Sequence, residues 1–274
     1  MNKYIDENKE HKAKLSTYNK DLDRYKDILP YIYEKKNENE KDNENNIKIH
    51  NDKYINASYI SILDKEKYFI ITQAPKDNTI DDFWTLVSEY NCNVVVMLCN
   101  FVENGKKKCS NYFDETKIKL FNLKIIEEVQ QNMYKVKKIE ISYNDKENKP
   151  VKREITHIHF TQWPDKGVPD GNDETIFEAF LEIINKVNDL KKEGPILVHC
   201  SAGVGRTGTF ISMFSLYKEI LAQKDQKDKD IIQFNIFNLV RKMKEMRIYM
   251  VQTNLQYIYI HQFVRYLLNK ENNK

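Results

Sequence analysis

The sequence has few cysteines, and none of them stands in a pairing pattern. Only four of the 274 residues are cysteines, at positions 92, 99, 109 and 200, with no C-x-x-C pair and no metal-ligand spacing. This argues against a disulfide scaffold or a structural zinc site, and it predicts reduced thiols in the cytoplasm. Residues 1–30 hold no signal-peptide core, and nowhere do 18 apolar residues follow one another. The sequence therefore predicts neither secretion nor a membrane span.

A strong charge imbalance is lacking as well. The 44 basic and 41 acidic side chains leave a net charge of +3, which predicts no nucleic-acid or membrane partner. Because the motifs described below are spread from end to end, we expect one domain over residues 1–274, with a core of about residues 20–268, acting as a monomer. Residues 34–48 are almost entirely Lys, Glu, Asn and Asp and should form a solvated loop. The polar residues 1–22 should form a short docking helix or a frayed arm.

What the sequence does contain is a glycine-bearing segment between two apolar ones, Val198–Gly208. This pattern predicts a buried strand, a tight loop and a buried helix. Such a loop points several backbone N–H groups into one concavity, and the helix N-terminus adds a partial positive charge. Cys200 lies at the floor of that concavity and should ionise easily there. Arg206 can hold two phosphate oxygens in its planar fork, so the segment predicts phosphoryl transfer to sulfur.

Two other interpretations of the segment stay open at this point. Gly203, Gly205 and Gly208 match the G-x-G-x-x-G fingerprint of dinucleotide-binding folds. That fingerprint requires a second strand ending in an acidic residue about 20 residues further on. Here that distance falls in the charged residues 223–228, which read as a solvated turn. The remaining interpretation is a buried structural cysteine in an ordinary strand-to-helix turn.

The segment from His199 to Thr207 resembles the phosphate-binding loop of the classical, tyrosine-specific protein tyrosine phosphatases. In that loop, His-Cys is followed by five residues, then Arg, then Ser or Thr. Other motifs of the family follow in the family's order. They are Asp23–Tyr31, Tyr54–Ile60, Thr72–Pro75, Asp82–Trp84, Trp163–Pro169 and Val251–Thr253. The resemblance covers nearly the whole chain, and several independent motifs in one order are very specific.

The resemblance implies a mechanism without a metal or cofactor, acting on proteins that carry phosphotyrosine. Cys200 is the implied nucleophile, and Arg206 with the amides of residues 201–205 binds the phosphate. Asp165 protonates the leaving phenolate, an effect typically worth about 10²–10⁴ in rate, and then acts as the base for water. The other implied residues are Thr207 and Gln252 in catalysis, Tyr25, Asp27, Ser201, Ala202, Gly203, Val204, Gly205 and Gln256 in substrate binding, and His199, Trp163, Glu103 and Lys108 in support.

Tyr25 has a steric task in this scheme. An aromatic wall beside a phosphate cradle deepens the pocket, so that only a phosphate on a long, flat side chain reaches the cysteine. By resemblance, Asp27 holds a backbone amide of the substrate and Gln252 positions the attacking water. Thr207 would donate a hydrogen bond to the departing thiolate.

The predicted fold is α/β, with a twisted mixed sheet and helices on both faces. Besides the strand that enters the loop, strands are predicted at residues 54–60, 68–72, 94–98, 117–126, 133–143 and 153–160. Helices are predicted to open at Thr79, to run over 175–192, to follow the loop, to run over 231–246 and to close the chain from Thr253 to Leu268.

Some alternatives and departures remain. His157 and His159 share one strand face and could bind a metal, but no further ligand is near in sequence, which favours structural histidines. A phosphotyrosine-binding module without turnover would lack a catalytic residue, and none is missing. A phosphatase for phosphoserine, phosphothreonine or phosphoinositides would not need the Tyr25 wall. Ala74 and Tyr249 stand where the family usually has glycine, and the large Tyr249 should restrict access to a second phosphotyrosine site.

Overall fold

A seven-stranded sheet forms the centre of the computed structural model, which describes residues 13–33, 46–50, 52–63, 65–165, 167–170, 173–224 and 232–272. Its strands are β1 (Ala57–Ile62), β2 (Lys65–Thr72), β3 (Val94–Met97), β4 (Asn122–Gln130), β5 (Tyr134–Asn144), β6 (Pro150–Phe160) and β7 (Ile196–His199). The helices are α1 (Ile80–Glu89), α2 (Asp173–Leu190), α3 (Gly205–Lys224), α4 (Ile236–Met246) and α5 (Asn254–Asn272). Short strands pair Ala13–Leu15 with Tyr31–Tyr33, Lys48–Ile49 with Lys53–Tyr54, and Val102–Glu103 with Lys106–Lys107.

The sheet is mixed, as predicted, with the strand order β4-β5-β6-β3-β7-β2-β1. The central pairs β6/β3, β3/β7 and β7/β2 are parallel. Strands β4, β5 and β6 form an antiparallel meander on one side, and β1 pairs antiparallel with β2 on the other. Parallel strands that are covered on both faces consist of continuous apolar runs, and β3 and β7 are buried at every position.

Helices cover both faces of this sheet. Ile196 of β7 is in register with Phe69 of β2, and the Phe69 ring packs edge-on against Phe214 of α3 at 5.2 Å between centroids. His199 lies three residues further along β7 and therefore points to the opposite face. There its ring lies 5.6 Å from that of Phe83 in α1. Helices α3 and α1 thus lie on opposite faces, which confirms the predicted layering.

The first part of helix α3 is enclosed on all sides, as the apolar run after the loop predicts. Its first 12 residues, 205–216, are all buried. The hydroxyls of Thr209, Ser212 and Ser215 donate to carbonyls four residues earlier at 2.8–3.0 Å, so they remain satisfied inside the core. A Cβ on Gly208 would lie 2.5 Å from the backbone N of Val251, so only glycine allows this close approach. Within the described residues, no helix is long and apolar enough to cross a membrane.

Two predicted boundaries are wrong for local reasons. The strand predicted at 117–126 runs over Asn122–Gln130 instead, because the backbone N–H groups of Lys119 and Leu120 donate to the Asp81 carboxylate and not to a neighbouring strand. The helix predicted at 231–246 begins only at Ile236, where the Asn235 side chain caps it.

The predicted chain ends also need correction. Of the segment 1–22, residues 1–12 lie outside the described part, and Ala13–Leu15 forms a strand rather than a helix. Residues 34–45 of the predicted solvated loop lie outside the described part as well. Ile47, near the end of that loop, and Ile49, just after it, are buried and belong to the core. Helix α2 runs from 173 to 190 rather than from 175 to 192, and α5 extends to residue 272, beyond the predicted end at 268.

Candidate active site

The loop between β7 and α3 holds its carbonyl groups away from the concave side. All six carbonyls from residue 199 to residue 204 lie near protein donors. These donors are Leu98 N (2.9 Å), the neighbouring His199 ring (3.0 Å), Ala74 N (3.0 Å), Arg247 Nη2 (3.2 Å), Arg247 Nε (3.1 Å), and the pair Gly208 N (2.9 Å) and Val251 N (3.2 Å), in chain order of the acceptors. The concave side is therefore left to N–H groups, the arrangement that binds a tetrahedral anion.

Gly203 is the residue that permits this backbone path. Its φ is +71°, and a Cβ there would lie 2.3 Å from the carbonyl oxygen of Thr72, so a side chain would be excluded both by strain and by space. Ala74, one of the two departures from the family pattern, is fully buried beside it. Its backbone N–H donates to Ser201 O at 3.0 Å, so the extra methyl group is accommodated without loss of that bond.

Cys200 is only 4% exposed at the base of the loop. Burial opposes ionisation of its thiol, but the charge of Arg206, the Thr207 hydroxyl and the N–H groups of Thr207 and Val204 outweigh it. The pKa of Cys200 is therefore lowered. The Thr207 hydroxyl has no conventional hydrogen-bond partner in the described part of the chain. It is thus available to the Cys200 sulfur.

Arg206 is held by a carboxylate at the back of the site. Its two terminal nitrogens donate to the two oxygens of Glu103, each at 2.6 Å. Glu103 is fixed in turn by the Asn100 N–H at 2.9 Å, within a hairpin that turns through Asn104 and Gly105, both at positive φ. Burial acts to lower the pKa of Arg206, but the hydrogen bonds to Glu103 reverse that effect and raise it. The arginine is permanently charged and held in one orientation.

The Asp165 carboxyl group contacts the same arginine, at the nitrogen that also donates to Glu103. One of its oxygens lies 3.2 Å from Arg206 Nη2, and the other lies 2.5 Å from Lys108 Nζ. Burial acts to lower the pKa of Lys108, and its contact with Asp165 outweighs that effect, so the pKa is raised. Trp163 anchors the loop that carries Asp165, because its buried indole N–H donates to Gly167 O at 3.0 Å. The structure thus brings the predicted acid to the cradle.

Tyr25 stands beside the cradle and is bonded to it. Its hydroxyl lies 2.8 Å from Ser201 Oγ, which donates to Lys108 O at 2.8 Å. Ser201 has one proton to donate, so Tyr25 is the donor of the first bond. The chain of bonds joins the aromatic wall, the loop and the segment that carries Lys108. Asp27 is exposed nearby, at the outer side of the same segment.

Gln252 and Gln256 pack against the start of α3. A Cβ on Gly205 would lie 3.3 Å from Gln252 Cβ and 3.1 Å from the Gln256 amide. The Gln256 side chain is buried, and its oxygen accepts from the backbone N–H groups of Gln252 and Thr253 at 3.0 and 3.3 Å. Gln252 is exposed. The structure therefore gives Gln256 a clear part in holding this segment against the loop.

His199 belongs to a buried chain that the sequence does not reveal. Its Nδ1 lies 3.0 Å from Cys200 O, which can only accept, so its Nε2 is the acceptor for Tyr112 OH at 3.0 Å. His157 Nε2 then donates to the same Tyr112 oxygen at 2.6 Å. Burial lowers the pKa of His199 to about 4 and keeps it neutral. The chain fixes the tautomer that holds the Cys200 carbonyl.

His157 and His159, predicted to be structural, each have one ring nitrogen in contact with a protein group. His159 Nε2 lies 2.9 Å from Cys99 O, while His157 is engaged by Tyr112. Among the described residues, no group of three or more His, Cys, Asp and Glu side chains could hold a metal ion. These contacts favour structural histidines.

The fold is α/β, and the candidate site centres on a buried cysteine beneath a loop whose carbonyl groups are all engaged by protein donors. Residues 19–266 match the family described as Protein-tyrosine phosphatase. The chain belongs to the protein-tyrosine phosphatase family.

Individual relatives agree with this assignment. The chain is 35% identical over 255 residues to human receptor-type tyrosine-protein phosphatase C. This match covers 89% of this chain and 18% of that protein. It is also 35% identical over 254 residues to rat tyrosine-protein phosphatase non-receptor type 20, covering 90% and 54%. The crystal structure of the catalytic domain of human protein tyrosine phosphatase non-receptor type 18 matches with a TM-score of 0.74 at 28% identity, covering 90% of this chain and 84% of that one. The chain thus spans about half or less of the curated relatives it matches.

Proposed function

We propose that the chain hydrolyses phosphotyrosine in proteins through a cysteinyl-phosphate intermediate. The observation that carries the proposal is the meeting of three predicted residues at one point. The Cys200 thiol, of lowered pKa, lies beside Arg206, and the Asp165 carboxyl group lies 3.2 Å from the same arginine. Solved structures of PTPN18 in complex with phosphorylated HER2 peptides support a phosphoprotein substrate.

In the first step, the Cys200 thiolate attacks the phosphorus atom and forms an S–P bond. The bond between phosphorus and the tyrosine oxygen breaks, and Asp165 gives its proton to the leaving phenolate. The charge on the transferring phosphoryl group is stabilised by Arg206 and by the loop N–H groups, which are already in place before the reaction. These groups carry the charge, so the proposed step uses no metal.

In the second step, water attacks the phosphorus atom and the S–P bond breaks. Asp165, now a carboxylate, takes the proton of the water, and Gln252 positions that water. The sulfur leaves as a thiolate, which accepts a hydrogen bond from Thr207. Inorganic phosphate is released, and Asp165 carries the proton needed for the next turnover, so protons balance over the cycle.

The Tyr25 wall favours phosphotyrosine over phosphoserine and phosphothreonine. The hydrogen bond to Ser201 fixes the position of the Tyr25 ring beside the cradle. The short side chain of phosphoserine or phosphothreonine cannot carry the phosphate past this ring to Cys200. In this proposal the chain acts as one monomeric domain over residues 1–274 in the cytoplasm. The four cysteines of the chain are free thiols that suit a reducing compartment.

The test is steady-state release of phosphate from a phosphotyrosine peptide in the presence of EDTA. Cys200→Ser should abolish turnover, and Asp165→Ala should reduce kcat by about 10²–10⁴. The matched controls are Cys92→Ser, which changes a buried cysteine in the segment between α1 and β3, and Asp170→Ala, which changes an exposed carboxylate following the Asp165 loop. Binding of the peptide by folded wild type without turnover would indicate a binding module instead. Equal turnover of phosphoserine peptides would indicate a broader phosphatase.

A further inference from the structure

Arg247, directly after α4, is a fully buried arginine in the second layer behind the phosphate cradle. Within the described part of the chain, the hydrogen bonds of its guanidinium all end on neutral acceptors. These are Gly203 O (3.1 Å), Ala202 O (3.2 Å), Asn56 Oδ1 (2.7 Å) and Ser58 Oγ (3.2 Å). A buried charge is costly unless it is well paired. Burial lowers the pKa of Arg247 to about 10, which still leaves it charged at neutral pH. The free-energy cost of burying this charge suggests that Arg247 has a functional role.

Two of its acceptors lie in the loop itself. Ala202 and Gly203 are at the apex of the cradle, and Arg247 holds both of their carbonyl oxygens with different nitrogens of one guanidinium. If either carbonyl turned inward, it would present negative charge to the phosphate and remove an N–H donor. A planar fork can hold two such oxygens at once, while a lysine offers only a point charge. The grip on the back of the loop thus depends on the arginine geometry.

Arg247 also places a second positive charge near the nucleophile. Cys200 contributes to raising the pKa of Arg247, and the interaction is mutual, so Arg247 favours the thiolate. The other charged or titratable groups that act on Arg247 are Tyr54 and Asp23. The charged or titratable groups that interact electrostatically with Cys200 are Arg206, Arg247 and the buried Cys99.

The same guanidinium is connected to the Tyr25 segment. Asn56 accepts from Arg247 with its oxygen and donates with its nitrogen to Asp23 Oδ1 and to Ile28 O, each at 2.9 Å. Asp23 precedes Tyr25 by two residues and is itself buried. The buried chain from Asp23 through Asn56 to Arg247 therefore fixes the cradle relative to the aromatic wall. It also places the Asp23 carboxylate close to the guanidinium, with only the Asn56 side-chain amide between them.

We propose that Arg247 is a positioning residue for the reaction: it holds the Ala202 and Gly203 carbonyls behind the cradle and stabilises the Cys200 thiolate with a second buried positive charge. The proposal rests on the proposed function for its kinetic consequences. Its electrostatic consequence is measurable without any turnover, because alkylation of Cys200 needs only the thiolate.

The experiment measures the rate of iodoacetamide alkylation of Cys200 against pH in the full chain, with Cys200→Ser as the blank, together with kcat and KM on a phosphotyrosine peptide. In Arg247→Met, the midpoint of the alkylation profile should move to higher pH by about one unit, and kcat/KM should fall by up to about 100-fold, the typical effect of a small misplacement of reacting groups. In Arg247→Lys, which keeps the cation, the midpoint should move less while kcat/KM still falls. The control is Arg241→Met, which changes an exposed arginine of α4 paired with Glu245 and should alter neither quantity.

An alkylation profile and a kcat/KM that both match the wild type in folded Arg247→Met would overturn the proposal. Should Arg247→Met not fold, Arg247→Lys decides the matter, since an unchanged kcat/KM in that variant shows that the two-carbonyl grip has no role. If the wild type itself shows no turnover, the proposed function fails, while the alkylation profiles still test whether Arg247 stabilises the thiolate.

Discussion

Replacing Glu103 by glutamine tests how Arg206, the proposed phosphate-binding arginine, is held. The two 2.6 Å bonds join side chains that are only 4% and 7% exposed, for Arg206 and Glu103 respectively. Removing one partner of a buried ion pair costs about 3–5 kcal/mol, because the other charge is left without compensation. Glutamine keeps one acceptor oxygen, and Asp165 remains 3.2 Å from the same guanidinium, so we expect a loss no greater than the lower end, about 3 kcal/mol.

Urea unfolding followed by circular dichroism measures this loss. With a slope of about 3 kcal/mol per molar, the expected loss lowers the midpoint by about 1 M. The matched control is Glu245→Gln, whose partner Arg241 is 41% exposed, and which should cost at most about 1 kcal/mol. Glu103→Gln should also lower kcat/KM, because Arg206 loses its fixed orientation. Equal midpoints for the two glutamine variants would refute the reasoning that burial makes the Glu103 pair strong.

Four further outcomes follow from the site. Lys108→Met should lower kcat, since Lys108 holds the Asp165 carboxyl group, and it should leave the rate of Cys200 alkylation unchanged; equal kcat values would contradict this role. Gly203→Ala should abolish phosphate binding in a calorimetric titration, because its φ of +71° and the absence of space exclude a Cβ. Tyr249→Gly should bind a doubly phosphorylated peptide more tightly relative to a singly phosphorylated one, and a crystal soak of the wild type with both phosphates docked beside Tyr249 would oppose this. The free energy of unfolding should fall as the pH is lowered from 6.5 to about 4, because burial lowers the pKa of His199 and the unfolded state therefore binds more protons in that window. The expected loss from this residue is about 3 kcal/mol, and a His199→Asn variant should show a flatter profile of stability against pH.

Much of the fold is visible in the sequence because burial on both faces imposes a simple pattern. The short apolar runs of β3 and β7 and the apolar helix α3 are recognisable for that reason. Element ends are less visible. The start of β4 depends on the Asp81 carboxylate, which lies about 40 residues away along the chain, and no local pattern reports such a contact.

In the candidate site as well, some residues can be recognised from the sequence and others cannot. Residues 199–207 are contiguous, so their composition and spacing alone indicate an anion cradle with a nucleophile. Arg247 and Tyr112 act on this cradle from distant parts of the chain, and nothing in their own neighbourhoods distinguishes them from ordinary buried residues. Tyr249 is an intermediate case: the family resemblance indicates that glycine is usual there, and the structure supplies the reason, since its φ is +60°.

The contact between Asp165 and Arg206 has a consequence for how long anything stays in the pocket. Under the proposed function, a carboxyl group 3.2 Å from Arg206 Nη2 is a tethered competitor for phosphate, present at a high effective concentration. An arriving phosphate ester would displace it, which weakens capture. A departing phosphate ion would in turn be replaced by the Asp165 carboxyl group rather than by water alone, which speeds its exit. The contact would therefore shorten the residence time of both substrate and product.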